Sequence, residues 1–300
     1  MRKLLFSLAL FLSLAASAQE TYRFAERDTC SLYLDIWRPA KADSLERPAI
    51  MFVFGGGFVS GSRTDPFYQK WYQRLNKEGY PVVAIDYRLG MKGVKVGNGL
   101  AGAAKAGDAF LNAQEIGVED VCSAICFLHA HPELGIDTDN LVLSGNSAGA
   151  IISVATAYHL ANGTAPEVPD GFRLKGVMSF AGAVISTSGA PVFKSRPCPI
   201  LFLHGTEDQA VAYKQLSFFG RGLWGSSYLA RQLQKKGWDC VIWRFKGRTH
   251  DVAAYMDYLW PIEKEFLEKN VMQGIRLSLD ATLDDPSLPT WKNISLDDIY

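Results

Sequence analysis

An excess of charge of either sign is missing from this sequence: 31 Lys plus Arg face 31 Asp plus Glu, a formal net charge of zero over 300 residues. Recognition of a phosphate backbone rests on clustered cationic charge, so the balance argues against a nucleic-acid partner and gives no reason to invoke an anionic substrate. Cysteine is scarce. The five (Cys30, Cys122, Cys126, Cys198 and Cys240) include no tight C-x-x-C pair and make no disulfide framework. After the first residues there is no uninterrupted apolar run of about 18 residues or more, which leaves no candidate transmembrane helix there. No internal repeat of fixed period is visible, which excludes a solenoid or propeller. Low-complexity bias is also lacking: hydrophobic residues at 48%, aromatics at 12% and charges at 21% are globular values.

What is present begins with an export signal. Arg2 and Lys3, the apolar stretch from Leu4 to Leu14 and the small residues Ala16-Ser17-Ala18 describe a secretory signal peptide over residues 1–18. The mature chain is then expected to start near Gln19, to lie in the periplasm or outside the cell, and to have no membrane span once the signal is removed. In that oxidising setting an odd cysteine count leaves at least one thiol free unless it pairs between molecules. Cys122 and Cys126 stand i, i+4 on a helix-like segment and read as small buried hydrophobes. A bond between Cys198 and Cys240, each just before an apolar run, stays open.

Apolar runs alternate with helix-like segments through the rest. Ser31 to Trp37 alternates as a half-buried strand does. Ile50 to Phe54, Val82 to Asp86, Leu141 to Ser144, Val177 to Phe180, Ile200 to His204 and Cys240 to Phe245 are short continuous runs suited to strands buried on both faces. Between them, Pro66 to Lys77, Val118 to Ala130, Ala148 to Leu160, Ser226 to Lys236 and Asp251 to Lys269 are long enough for helices. The alternation predicts a single α/β domain over residues 19–278, a mainly parallel sheet with helices on both faces. Leu89 to Gly117, rich in Gly, Ala and Lys, reads as a mobile loop or partial lid. Tyr213 to Gly225 reads as an interruption that could hang over a site, and residues 279–300 as a polar extension, loose or merely docked.

The informative motif is Gly145-Asn146-Ser147-Ala148-Gly149, between a candidate strand and a candidate helix. Composition alone predicts about 0.2 such G-x-S-x-G pentads per chain, so the flanks carry the argument: strand, sharp turn and helix start are the context of a nucleophile elbow. A serine hydroxyl needs a base. His129, His131 and His159 sit on or beside helices and read as capping or packing residues. His204 reads as support for the turn His204-Gly205-Thr206-Glu207-Asp208. His250, in the polar loop after the last expected strand, can bring its ring over Ser147. Asp208 is the expected carboxylate that orients His250, with Glu207 as the alternative. Phe54-Gly55-Gly56-Gly57-Phe58 follows a strand directly, so the Gly56 and Gly57 amides, with that of Ala148, are the expected oxyanion donors. Phe58, Phe218, Phe219 and Trp224 are candidates for an apolar or sugar-stacking wall, with core packing the alternative.

On these motifs the sequence resembles the α/β-hydrolase superfamily, and within it carboxylesterases with a Gly-rich oxyanion loop, over about residues 30–270. The order Ser147, Asp208, His250 matches that arrangement. The resemblance implies an α/β-hydrolase fold, a serine esterase mechanism and no metal or organic cofactor. Phe54 departs from the histidine that commonly heads the oxyanion motif, and Asn146 stands where hormone-sensitive-lipase-like enzymes usually carry Asp. The layout and the export signal are similar to secreted bacterial acetyl and feruloyl esterases, which implies a small-molecule or carbohydrate-linked ester as substrate. Two alternatives share parts of the pattern: a prolyl-oligopeptidase-type serine peptidase and a noncatalytic hydrolase-fold binding protein.

Overall fold

Runs of β-branched and aliphatic residues four to six long need partners on both faces once buried, and the sheet supplies them. The protein is described here by a computed structural model covering residues 19–40, 46–95 and 99–291. The expected signal peptide, residues 1–18, lies outside the described residues, as do 96–98 of the expected lid and 292–300 of the tail. The strands are β1 (Gln19–Arg27), β2 (Cys30–Trp37), β3 (Ala49–Val53), β4 (Val82–Ile85), β5 (Leu141–Asn146), β6 (Gly176–Phe180), β7 (Ala183–Ser186), β8 (Ile200–Gly205), β9 (Gln215–Phe218), β10 (Arg221–Gly225), β11 (Cys240–Phe245) and β12 (Ser278–Leu283). Nine form one sheet in the order β1-β2-β4-β3-β5-β6-β8-β11-β12. From β4 to β12 all neighbours are parallel, whereas β1 and β2 add antiparallel pairings at one edge. Every residue of β3, β4, β5, β6 and β8 is buried, which at a side-chain period of two means that both faces are covered.

The helices are α1 (Pro66–Lys77), α2 (Gly99–Ala130), α3 (Ala148–Asn162), α4 (Ser226–Lys235) and α5 (Trp260–Phe266). Asp65 caps α1 by accepting the Phe67 N–H at 2.9 Å, and Pro66 takes the first helical position, where its missing N–H costs nothing. Tyr68, Trp71 and Tyr72 of α1 pack on Phe52. The Trp71 indole N–H reaches Glu263 of α5 at 2.8 Å, which ties those two helices together. Instead of one helix over Asp251–Lys269, a short 3-10 turn (His250–Ala254) precedes α5, and a wider π turn (Leu267–Met272) follows it. Pro261, which cannot donate inside a helix, marks the restart.

The lid expectation for Leu89–Gly117 is corrected: Gly99 to Gly117 is the first half of α2. Six alanines between 101 and 113 outweigh the glycines in helix propensity. Gly117 is also where α2 and α3 meet closely, since a Cβ there would lie 2.6 Å from Ile152 Cδ1. Tyr213–Gly225 folds as the β9–β10 hairpin, which joins β7 in a small second sheet. The extension drawn from residue 279 onward contributes β12 to the main sheet instead. Leu279, Ala281 and Leu283 alternate toward the fold with Ser278, Asp280 and Thr282 exposed, a one-sided edge strand. Among the described residues no helix is long and apolar enough to cross a membrane.

The five cysteines are all free thiols. The register sets Cys240 opposite Ile200, two residues past Cys198, so those two are not brought together as a bonded pair. Burial pushes the Cys122 and Cys198 thiols up to about 12.

Candidate active site

Parallel strands deliver their carboxyl ends to one edge of the sheet, and the turns after β5, β8 and β11 carry Ser147, Asp208 and His250 there. Ser147 has φ 51° and ψ −121°, a conformation that a non-glycine residue holds only at a cost of about 1–3 kcal/mol. Its backbone is fixed on both sides: the N–H donates to Phe180 O at 2.9 Å, and its carbonyl accepts the Ile151 N–H at 2.9 Å. The flanking glycines are sterically required. A Cβ on Gly145 would lie 2.4 Å from Gly149 O, and one on Gly149 would lie 2.0 Å from Val53 O.

Ser147 Oγ lies 2.9 Å from His250 Nε2, and His250 Nδ1 lies 2.8 Å from Asp208 Oδ2. All three residues are buried to 7% exposure. Asp208 Oδ1 accepts the N–H groups of Ala210 and Val211, each at 2.9 Å. Burial opposes the charge on Asp208, but hydrogen bonds from His204 and His250 outweigh it and hold the carboxyl below its ordinary range. Glu207, the alternative carboxylate, is exposed. His129, His131 and His159 find partners elsewhere, in Thr138, Glu133, Thr164 and Glu115.

The glycine loop lies against the elbow. Gly149 packs on the carbonyls of Val53 and Phe54, and a Cβ on Gly55 would stand 3.0 Å from Asn146 O. Gly56, Gly57 and Phe58 have φ of 125°, 62° and 64°. Gly56 O accepts from Val59 and Ser60 at 3.1 Å, while its own N–H has no partner among the described residues. Ala148, first residue of α3, has an N–H that helix geometry leaves without an intrahelical acceptor. Phe54 compensates for the missing histidine by packing: its ring lies 4.5 Å from that of Tyr87, and the Tyr68 hydroxyl accepts the Gly55 N–H at 3.3 Å.

The expected aromatic wall is not assembled as one surface. Phe58 and Trp224 are core residues at 1% and 3% exposure, whereas Phe218 and Phe219, at 62% and 91%, stand at the hairpin tip with rings 4.4 Å apart. Asn146 has a role its sequence position did not suggest: Nδ2 donates to Ala253 O at 3.1 Å and ties the elbow to the turn carrying His250. Among the described residues no group of three or more His, Cys, Asp or Glu side chains is arranged to hold a metal ion.

A family model described as the carboxylesterase family matches residues 13–166, 154 of the 300. The matched stretch holds the glycine loop and Ser147 and ends before Asp208 and His250. Fumonisin B1 esterase of Sphingopyxis macrogoltabida is 30% identical over 133 residues, 44% of this chain and 24% of that protein. Chlorogenic acid esterase of Aspergillus niger is 31% identical over 166 residues, 53% of this chain and 27% of that protein. Acetylcholinesterase of Gallus gallus is 32% identical over 130 residues, 43% and 15% respectively. The chain thus spans about a quarter or less of the length of these curated relatives. Among solved structures, the apo form of Thermogutta terrifontis esterase 2 superposes with a TM-score of 0.60 at 24% identity, over 83% of this chain and 94% of that one. Its propionate-bound form gives 0.59 over the same shares. At that identity the likeness shows the fold, an α/β hydrolase.

Proposed function

The chain belongs to the carboxylesterase family, and from that premise we propose that it is an exported serine esterase in which Ser147 is the nucleophile, His250 the general base and acid, and Asp208 the orienting carboxylate. The observation that carries this reading is the buried line Ser147 Oγ, His250 Nε2, His250 Nδ1, Asp208 Oδ2, with spacings of 2.9 and 2.8 Å. Asp208 accepts from Nδ1–H, which leaves the Nε2 lone pair facing the hydroxyl.

Ser147 Oγ attacks the ester carbonyl as His250 Nε2 takes its proton, and the carbonyl π electrons move onto oxygen. The Ala148 N–H, with those of Gly56 and Gly57, meets that oxyanion in a site from which solvent is largely excluded. Collapse breaks the bond to the alcohol oxygen, which leaves with the proton from His250. A water molecule, deprotonated by the same ring, then attacks the acyl-serine and releases the acid and free Ser147.

The substrate class we favour is an acetyl or hydroxycinnamoyl ester on carbohydrate. Support comes from the export signal of residues 1–18 and from the similarity to a protein named chlorogenic acid esterase. Nitrophenyl acetate turnover by the full chain and by Ser147→Ala tests the mechanism: the variant is expected to lose about 10⁴-fold or more in kcat, and equal rates would remove Ser147 as nucleophile. Acetylated xylan and methyl ferulate, offered to the same protein, test the substrate class. Turnover of neither, alongside turnover of nitrophenyl acetate, rejects that class and keeps the mechanism.

A further inference from the structure

A carboxylate offers about four acceptor positions on its two oxygens, and four nitrogens stand within 3.2 Å of those of Asp208. Two are the backbone N–H groups on Oδ1. On Oδ2, His250 Nδ1 at 2.8 Å is joined by a second imidazole, His204 Nε2 at 3.2 Å. His204 lies in β8 with no exposed surface. Its Nε2 also lies 3.0 Å from Val211 O. Carbonyl and carboxylate oxygens only accept, so Nε2 carries hydrogen and shares it between Val211 O and Asp208 Oδ2. On the other side of the ring, Nδ1 lies 2.8 Å from Ser226 Oγ at the start of α4, and that hydroxyl lies 2.9 Å from Gly182 O. With hydrogen on Nε2, Nδ1 of the neutral ring accepts from the Ser226 hydroxyl, so a hydrogen-bonded line runs from Ser226 through His204, Asp208 and His250 to Ser147.

We propose that His204, anchored by Ser226, is a positioning residue for ester hydrolysis: its Nε2–H fixes Oδ2 of Asp208 where His250 Nδ1–H must find it. This rests on the reading of Ser147 and His250 given above. The two turn amides hold Oδ1 alone, and rotation about the last Asp torsion is soft. With His204 present, Oδ2 has two donors, one from β8 and one from the turn after β11, so its place no longer depends on His250 alone. Without His204, carboxylate and imidazole can drift together, and a displacement of about 1 Å at a reacting group can cost about 100-fold in rate.

A histidine that merely stitched β8 to α4 would act through both nitrogens alike, and two amide substitutions separate the roles. The amide nitrogen of Gln reaches roughly where Nε2 stands, and that of Asn roughly where Nδ1 stands. His204→Gln therefore keeps the donor to Asp208, and His204→Asn keeps only the link to Ser226. With nitrophenyl acetate, His204→Gln is expected within about 3-fold of the unaltered kcat. His204→Asn is expected about 10- to 100-fold lower, with KM within about 2-fold for both. Equal kcat for the two variants, or KM and melting temperature moving in step with kcat, overturns the proposal. Ser226→Ala, a smaller change at a buried site, is expected to lower kcat about 3- to 10-fold at constant KM; an unaltered kcat overturns the anchoring link. Absence of turnover in the unaltered protein defeats the Ser147 reading itself, whereas turnover with matching Gln and Asn variants defeats only the role of His204.

Discussion

Asn146 shows how much one atom type decides beside Ser147. An amide there can donate to the Ala253 carbonyl; a carboxylate would set two acceptors against each other in a buried place. Asn146→Asp is accordingly expected to lose about 1–3 kcal/mol, the penalty of leaving a buried polar group unpaired, and to lower kcat by loosening the turn that carries His250. Urea unfolding and turnover measured at pH 7 check this, and unchanged stability would show that the contact does not matter. Asp208 makes a pH statement of known sign. Its folded-state pKa is depressed, so as pH falls the unfolded carboxyl, near about 3.9, takes up its proton first. The stability it contributes is complete above that value and is lost as pH falls through the lower, folded-state one. Asp208→Asn should therefore flatten the acid limb of stability against pH. An acid limb as steep as that of the unaltered protein would sink the assignment.

Among the elements, β12 and the segment after it bear on the site more than their polarity suggests. β12 closes the β11 edge and supplies Asp280, whose carboxylate pairs with Arg244 at 2.5 and 2.8 Å. Beyond it, Lys246 pairs with Asp284, Arg248 donates to Asp285 O at 2.6 Å, and the Tyr255 ring packs on Trp291. Lys246, Arg248 and Tyr255 flank His250. Two truncations separate the roles. Ending the chain after Leu283 keeps the strand and frees the His250 segment, so kcat should fall by about 10-fold with a small drop in melting temperature. Ending it after Leu277 also bares the β11 edge, which should lower the melting temperature further and promote concentration-dependent aggregation. Equal kcat for the full chain and the Leu283 truncation would show that the segment does not hold His250.

For the whole molecule, stability rests on the layered core and not on cross-links. Strands buried on both faces, the α1–α5 pair and the α2–α3 pair enclose the apolar interior, and all five cysteines are free thiols. A reductant such as dithiothreitol should leave the melting temperature within about 1 °C, because there is no cross-link whose loss would enlarge the unfolded ensemble. A large downward shift would reveal a bond between copies or within the chain.

The sequence by itself determined the parallel strands, because a strand buried on both faces is apolar along most of its length and that is legible in one dimension. It also determined the elbow, because Gly145 and Gly149 leave room that no other residue would. The order of Ser147, Asp208 and His250 was readable for the same local reason: each follows a strand end. The tertiary structure alone decided what depends on neighbours distant in the chain. It made Gly99–Gly117 helical, where packing and alanine propensity overrode the glycines, and it enlisted Ser278–Leu283 as an edge strand, since pairing with β11 is nonlocal. It buried Phe58 and Trp224 while leaving Phe218 and Phe219 outside. It also set His204 of β8 against the same carboxylate oxygen as His250 of the turn after β11, a meeting that no spacing along the chain encodes.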